Sequence, residues 1–352
     1  MALRLLILMV TTDCNLRCRY CYTCGGESAE YMSWDVAHRA LDLAMTLAQG
    51  ERLEVQFAGG EPTLHMALVE RVSRRVVGEG VTLQLQTNAT LVDGEVARSL
   101  KALDIAVGVS LDGPPEVNDG LRPTADGCGS TANALAGIAC LREADVAVGM
   151  TCVVTAANVG QLPLLVEIAA YLGNVRGISL DPLRPLGRGS SGSVAPARPA
   201  DAYYWTLEAL RRADRVVALG GPLVQFRELE RSRHALVHGI ARDSHCYFDT
   251  GQSLAVTPDG DCFPCASLAG LAEFRLGSIM EDSFAAAFPY RIRQARGLVE
   301  QPVRCTECDD RLICGGGCPA NLYAHGALGQ MTECAIKCAC IAHLRQCSTR
   351  GR

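Results

Sequence analysis

The sequence predicts an α/β fold: a partial (β/α)6, TIM-like barrel followed by a cysteine-rich C-terminal extension. Three observations carry this. Apolar runs of strand length alternate with amphipathic segments six times over residues 3–186, the signature of parallel βαβ units. Unlike sequence follows the sixth strand, so the barrel is incomplete rather than closed and eight-fold. Of eighteen cysteines, fifteen gather at the two ends, from Cys14 to Cys24 and from Cys246 to Cys347, with Cys128, Cys140 and Cys152 scattered between.

The elements follow in order. "LRLLILMV", residues 3–10, is too short for a signal peptide and lacks a small-residue cleavage site, so it reads as a buried strand. Ser33 can cap a helix through about Ala48, with Val36, Ala40, Leu41, Leu43, Ala44 and Leu47 on one stripe and Gly50 ending it. "RLEVQFA" (52–58) is a strand and residues 63–77 a helix. "VTLQLQT" (81–87) is a strand, and Asp93 caps a helix through about Ala102. "DIAVGVSL" (104–111) and "VAVGMTCVV" (146–154) are strands, followed by helices at 130–144 and 158–171 respectively. "VRGISLDPL" (175–183) is the sixth strand. "GRGSSGSVAPARP", residues 187–199, reads as a Gly/Ser/Pro linker, and 201–219 as a connecting helix. The expected domains are 1–186, the barrel; 187–240, linker and connecting helices; and 241–352, the extension.

Composition excludes some functions. A net charge of -5 on 352 residues gives no electrostatic case for nucleic acid or an anionic membrane surface. No apolar run approaches a membrane span. The expected location is the cytoplasm. In a reducing compartment, patterned cysteines are more often metal ligands or redox groups than disulfides.

The first cysteine loop follows the first strand, which places it at the barrel mouth, where such barrels do their chemistry. Cys14, Cys18 and Cys21 are spaced C-x3-C-x2-C, with Tyr20 before the last. Three clustered thiolates can hold three corners of a cubic iron–sulfur cluster and leave the fourth iron open. A zinc site completed by Cys24 is the plainer reading. Further segments stand at the ends of successive predicted strands: "AGGEP" (58–62), "QTNATL" (86–91), and "SLDGP" (110–114) with "NDGLRP" (118–123) after it.

Together these segments resemble the radical S-adenosylmethionine (radical SAM) superfamily. The resemblance implies that Cys14, Cys18 and Cys21 hold a [4Fe–4S] cluster to which SAM binds. It implies that Gly59, Gly60, Glu61 and Pro62 form the segment binding the SAM amino group. Asn88 falls in a TNG-type segment in which Ala89 replaces the usual glycine. Ser110, Asp112 and Arg122 fall in segments that contact SAM, and Leu183 takes the place of an adenine-packing residue.

Toward the C-terminus, Cys305, Cys308, Cys314 and Cys318 are spaced C-x2-C-x5-C-x3-C, with Cys246 and Cys265 upstream and Cys334 downstream. This resembles the SPASM extension of radical SAM enzymes, which binds auxiliary [4Fe–4S] clusters. By that resemblance Cys246, Cys265 and Cys318 hold a first auxiliary cluster, whose fourth site is either open or filled by Cys262. Cys305, Cys308, Cys314 and Cys334 hold a second, with Cys338 a rival to Cys334. The total is three [4Fe–4S] clusters and SAM. A zinc ribbon of Cys305, Cys308, Cys314 and Cys318 is the competing reading. Cys140, Cys152, Cys340 and Cys347 read as packing, and the loop cysteine Cys128 as a candidate hydrogen donor.

The resemblance implies a maturase acting on a ribosomally made peptide or protein by crosslinking, epimerisation or oxidation. Its reductant would be a flavodoxin or ferredoxin. The alternatives are sulfatase-maturase-like oxidation of Cys or Ser, and a non-catalytic electron carrier. Sulfatase maturases place a basic aspartate after the cysteine at the position of Cys265; here Ala266 follows, so formylglycine formation is not expected. The first strand begins near Leu3. Leader recognition is therefore expected to be absent, to use the barrel and extension surface, or to come from a separate leader-binding protein.

Overall fold

The computed structural model describes residues 2–325 and 327–350. The chain runs through β1 (Leu5–Thr11), α1 (Trp34–Ala48), β2 (Glu54–Gly59), α2 (Met66–Arg75), β3 (Thr82–Thr87) and α3 (Gly94–Ala102). It continues through β4 (Ile105–Ser110), α4 (Pro115–Leu121), α5 (Thr131–Glu143), β5 (Val148–Val154), α6 (Leu162–Leu172) and β6 (Val175–Pro182). β1 to β6 pair in chain order and all in parallel, as the repeat predicts. Leu8, Phe57, Leu85, Val107, Met150 and Ile178, one from each strand, are buried in a single core. Each contributes about 1.5–3 kcal/mol over leaving it in water.

Local capping matches the sequence closely. The Ser33 side chain accepts from the Val36 N–H at the start of α1, and Asp93 accepts from the Glu95 and Val96 N–H groups at the start of α3. Three details differ. Gln49, at φ 53°, takes the left-handed C-cap of α1 ahead of Gly50. The helix expected at 63–77 begins with a 3-10 turn, Pro62–His65, before α2. α4 is an unexpected short helix; it buries Asn118 and delivers Arg122 at its C-terminal end.

Beyond β6 come α7 (Pro199–Ala218), β7 (Gln225–Phe226), α8 (Arg227–His238), β8 (Ser253–Val256), β9 (Asp261–Phe263) and β10 (Gly277–Ser278). The sheet does not stop at six strands; its order is β10-β9-β8-β1-β2-β3-β4-β5-β6-β7. β8 runs parallel to β1, pairing Leu5 with Ser253 and Leu8 with Val256, so the extension adds strands to the barrel's own sheet. β7 covers the other edge, beside β6. β1 is buried along nearly its whole length, and both its edges are paired, which protects it from edge-to-edge association.

The last quarter is helical: α9 (Phe284–Gly297), the single turns α10 (Val303–Thr306) and α11 (Arg311–Cys314), α12 (Pro319–His325) and α13 (Ala327–Arg350). α13 packs along α7 and α8. Among the described residues, no helix is long and apolar enough to cross a membrane.

The stretch 187–199 is not a loose spacer. Residues 187–191 form a 3-10 turn laid against the first cysteine loop. Arg188 donates from Nε to the Cys18 carbonyl (2.9 Å), from Nη2 to the Gly25 carbonyl (3.1 Å) and from Nη1 to the Glu27 carboxylate (2.7 Å). Its small residues are needed for that close approach: a Cβ on Gly187 would run into the carbonyls of Cys21 and Tyr22.

Candidate active site

The carboxyl ends of β1 to β6 surround a cavity of about 280 Å³. Cys14, Cys18 and Cys21 line it; Cys24 does not. The Leu16 N–H points at Cys14 Sγ and the Gly25 N–H at Cys21 Sγ, each at 3.4 Å. Such donors favour thiolate over thiol. Burial pushes Cys14 up to about 12 and raises Cys18 as well, so a metal group must displace their protons as it binds.

The glycine pair has a packing reason. Gly59 lies at φ 127°, and a Cβ there would meet the Thr11 carbonyl; on Gly60 it would meet the Asp13 carbonyl. The pair lets the end of β2 press against the cysteine loop. Glu61 then joins two strand ends: its carboxylate accepts from the Thr63 N–H (3.1 Å) and hydroxyl (2.7 Å), the Thr87 hydroxyl (2.6 Å) and the Asn88 N–H (2.7 Å). Burial raises its pKa despite these four donors. Asn88 donates to Asn15 Oδ1 at 2.9 Å, tying β3 to the same loop. Ala89 adopts φ 62°, so the left-handed turn is kept where glycine was expected.

Tyr20, Asp112 and Arg122 form one buried network. The Tyr20 hydroxyl donates to the Asp112 carboxylate and accepts from Arg122 Nη1 at 2.6 Å. Asp112 also accepts from the Val153 N–H at 2.8 Å. Burial pushes the Tyr20 phenol well above its ordinary range, against the pull of Arg122. Tyr20 and Arg122 line the cavity; Asp112 does not and acts from behind them. Leu183 and Pro62 also stand back from the cavity wall, Leu183 packing with Leu16, Cys18, Tyr20 and Leu121. Ser110 lines the wall and accepts from Gln86 Nε2 at 3.0 Å. Cys128 is exposed on the loop before α5 and does not line the cavity.

Sequence reasoning missed part of this wall. Gln56, Gln86, Thr151 and Asp181 face the cavity from β2, β3, β5 and β6. Their signal was present as polar residues at alternate positions in otherwise apolar strands. Arg184 and Arg227 were missed as well; both line the cavity, and Arg227 Nη2 donates to Asp181 at 2.8 Å. Burial would raise Asp181, but the charges of Arg227 and Arg184 outweigh it and hold the carboxyl below its usual range.

The second cysteine set lines two pockets. Cys305, Cys308, Cys314, Cys334 and Cys338 line one pocket, while Cys318 lines another with Glu333, Lys337 and His245. Burial, then the charges of Cys318 and Cys265, push Cys246 up to about 12. Cys262 is buried, with its thiol facing the Gly260 carbonyl at 3.7 Å. The contiguous set of Cys305, Cys308, Cys314 and Cys318 is therefore split, against the zinc-ribbon reading. One zinc ion would also draw its thiolates to about 3.8 Å apart. Among the described residues, no three of these sulfurs lie within 4.8 Å of one another. Both sets and the first loop suit a group wider than one ion. Cys334 and Cys338 sit one helical turn apart with sulfurs at 3.8 Å, so geometry alone leaves both in reach of the second pocket. Cys334→Ser is expected to remove one cluster's iron, about 4 atoms per chain, and Cys338→Ser to leave it, by iron assay of reconstituted protein.

Comparison with known proteins agrees with this geometry. Residues 8–160 match the model of the radical SAM superfamily, and residues 246–309 that of the SPASM iron–sulfur cluster-binding domain. The chain is 32% identical over 274 residues to an uncharacterized protein of Methanocaldococcus jannaschii, covering 76% of this chain and 86% of that one. It is 28% identical to a serine-type anaerobic sulfatase-maturating enzyme of Klebsiella aerogenes, over 89% of this chain and 78% of the other. It is likewise 28% identical to an AdoMet-dependent heme synthase of Methanosarcina barkeri, over 91% and 92%. Among solved structures, anSMEcpe with bound AdoMet and Cp18Cys peptide superposes with a TM-score of 0.81 at 20% identity, over 99% of this chain and 100% of that one. Streptococcus suis SuiB bound to precursor peptide SuiA superposes at 0.68 and 16% identity, over 93% and 74%. At those identities the two structures show a shared fold.

Proposed function

We propose, from the premise that this chain belongs to the radical SAM superfamily and carries its SPASM extension, that it is a peptide or protein maturase with three [4Fe–4S] clusters. The observation that carries the reading is the meeting of Cys14, Cys18 and Cys21 with the Tyr20–Arg122 pair in one cavity at the strand ends. The donor set fits a cluster with one open iron, because among the described residues three cysteines and no fourth line that cavity. Cys14, Cys18 and Cys21 would hold the cluster, which when bound would supply the one electron needed for reductive cleavage of the S–C5′ bond of SAM and so for hydrogen abstraction from substrate.

The chain's own residues do the positioning. Glu61 and Asn88 fix the ends of β2 and β3 against the cysteine loop. Asp112 orients Tyr20, and Arg122 places a permanent positive charge beside Cys18. Arg188 clamps the loop from outside. Cys14, Cys18 and Cys21 hold the SAM cluster; Cys246, Cys265 and Cys318 hold the first auxiliary cluster with its fourth site open, and Cys305, Cys308, Cys314 and Cys334 the second. A cytoplasmic setting with a flavodoxin or ferredoxin as reductant fits a cysteine-rich chain without disulfides among the described residues.

Formylglycine formation is not expected. Ala266 cannot act as a base, and Asp259 and Asp261 are engaged in the turn and with Arg275. Asp181 faces the cavity, but its depressed pKa makes it a weak base. A second reading is favoured by one observation: Arg184 lines the cavity with its Nε buried and without a hydrogen-bond partner. That guanidinium suits a substrate carboxylate, as on a tetrapyrrole of the kind the heme synthase relative handles.

The experiment is deuterium transfer into 5′-deoxyadenosine under SAM and dithionite. One arm uses deuterated peptides encoded beside this gene, the second a deuterated propionate-bearing porphyrin, and the third a sulfatase-type Cys or Ser peptide. Transfer from the first arm is expected. Transfer from the porphyrin alone would establish the second reading, and a two-mass-unit loss with aldehyde reactivity in the third arm would overturn the exclusion.

A further inference from the structure

At the far end of the C-terminal helix, three groups of different chemistry converge. Asp214 comes from α7, and His343 and Cys347 come from adjacent turns of α13. His343 Nε2 lies 3.1 Å from the Asp214 carboxylate and 3.8 Å from Cys347 Sγ. All three ligand atoms fall within 4.8 Å of one another, and among the described residues no other three histidine, cysteine or carboxylate groups do so. We propose that Asp214, His343 and Cys347 form a mononuclear zinc(II) site, separate from the iron–sulfur cysteines, with water in the fourth position.

The separations, which without an ion form a His343–Asp214 ion pair and a Cys347–His343 hydrogen bond, also suit a bound ion. Tetrahedral zinc with bonds near 2.0 Å to nitrogen and oxygen and near 2.3 Å to sulfur sets N···O at about 3.3 Å and N···S at about 3.6 Å. The observed separations differ from these by a few tenths of an ångström. The i, i+4 spacing puts His343 and Cys347 on one helix face, and Asp214 supplies the third ligand from a second helix. His343 is buried, while Asp214 and Cys347 are exposed, which leaves a path for a hydrated ion. One thiolate, one imidazole and one carboxylate form a mixed set suited to zinc and unlike the all-thiolate sets of the cluster sites. Binding releases the Cys347 thiol proton.

The site has a structural consequence. Between about one and a half and three turns before His343, α13 carries Glu333, Cys334, Lys337 and Cys338 beside the two auxiliary pockets. A zinc ion joining its far end to α7 would fix the helix that supplies those cysteines.

The test uses the full chain with its clusters reconstituted. The protein is given one equivalent of zinc sulfate and desalted, then assayed for zinc and iron by mass spectrometry and for first-shell atoms by zinc K-edge absorption. One zinc per chain is expected, with one sulfur and the remainder nitrogen or oxygen. Asp214→Asn and Cys347→Ser, both at exposed positions, are expected to lose the retained zinc with iron unchanged. Retention of zinc in both variants, a first shell of sulfur alone, or no retention by the parent protein would each overturn the site.

Discussion

Replacing Cys14, Cys18 and Cys21 together by alanine is expected to abolish reductive cleavage of SAM. The three sulfurs are the only cysteine sulfurs lining the barrel cavity among the described residues, so nothing nearby can replace them. 5′-Deoxyadenosine formed under dithionite should fall a thousandfold or more, on the order of 4 kcal/mol of barrier. Iron should drop from about 12 to about 8 atoms per chain. The loss is separable from unfolding, because the auxiliary cysteines lie on α8-to-α13 segments that the substitutions do not touch. Persistent cleavage by the triple variant would refute the assignment of the radical site.

The largest loss of stability is expected from Lys337→Met. Lys337 and Glu333 form a buried pair at 2.7 Å, with side chains 4% and 6% exposed. Lys337 Nζ also donates to the Gly316 carbonyl at 2.5 Å, and the Glu333 carboxylate accepts from the Cys318 N–H at 3.0 Å. The pair thus holds both ends of the "GGGC" turn, whose Gly316 N–H points at Cys314 Sγ at 3.2 Å. Removing only the lysine leaves Glu333 charged in a dry site and costs roughly 3–5 kcal/mol. Tm should fall by roughly 4–7 °C. Auxiliary iron should be lost with it, while the SAM cluster is retained. The double variant Glu333→Gln, Lys337→Met removes both charges and should recover part of the loss. A double variant less stable than Lys337→Met would show that the pair's charge is not the cause.

Much of the barrel was legible because its periodicities are local. Ser33 and Asp93 cap where a side-chain oxygen precedes an apolar stripe, and six apolar runs became six parallel strands. α4 was missed because "PEVNDGL" is short and carries Gly120, so its helicity depends on Asn118 bonding to Asp112 and Thr131. The stretch 187–199 was misread for a related reason. Its composition is that of a flexible spacer, yet its glycines are there to fit beneath Arg188 and the cysteine loop.

The sequence by itself determined the repeating α/β architecture, the position of the first cysteine loop at the barrel mouth, and the identity of its three thiols. These depend on spacing along the chain, and spacing survives without coordinates. Only the tertiary structure shows Cys318 lining a different pocket from its neighbours Cys305, Cys308 and Cys314, a division that the family resemblance implied and the spacing by itself left open. It alone placed β8 beside β1, and Asp181, Arg184 and Arg227 in the cavity. The reason is physical: the "GGGC" turn between Cys314 and Cys318 can send its two cysteines to opposite sides, and which side each takes is fixed by Glu333 and Lys337 on a distant helix.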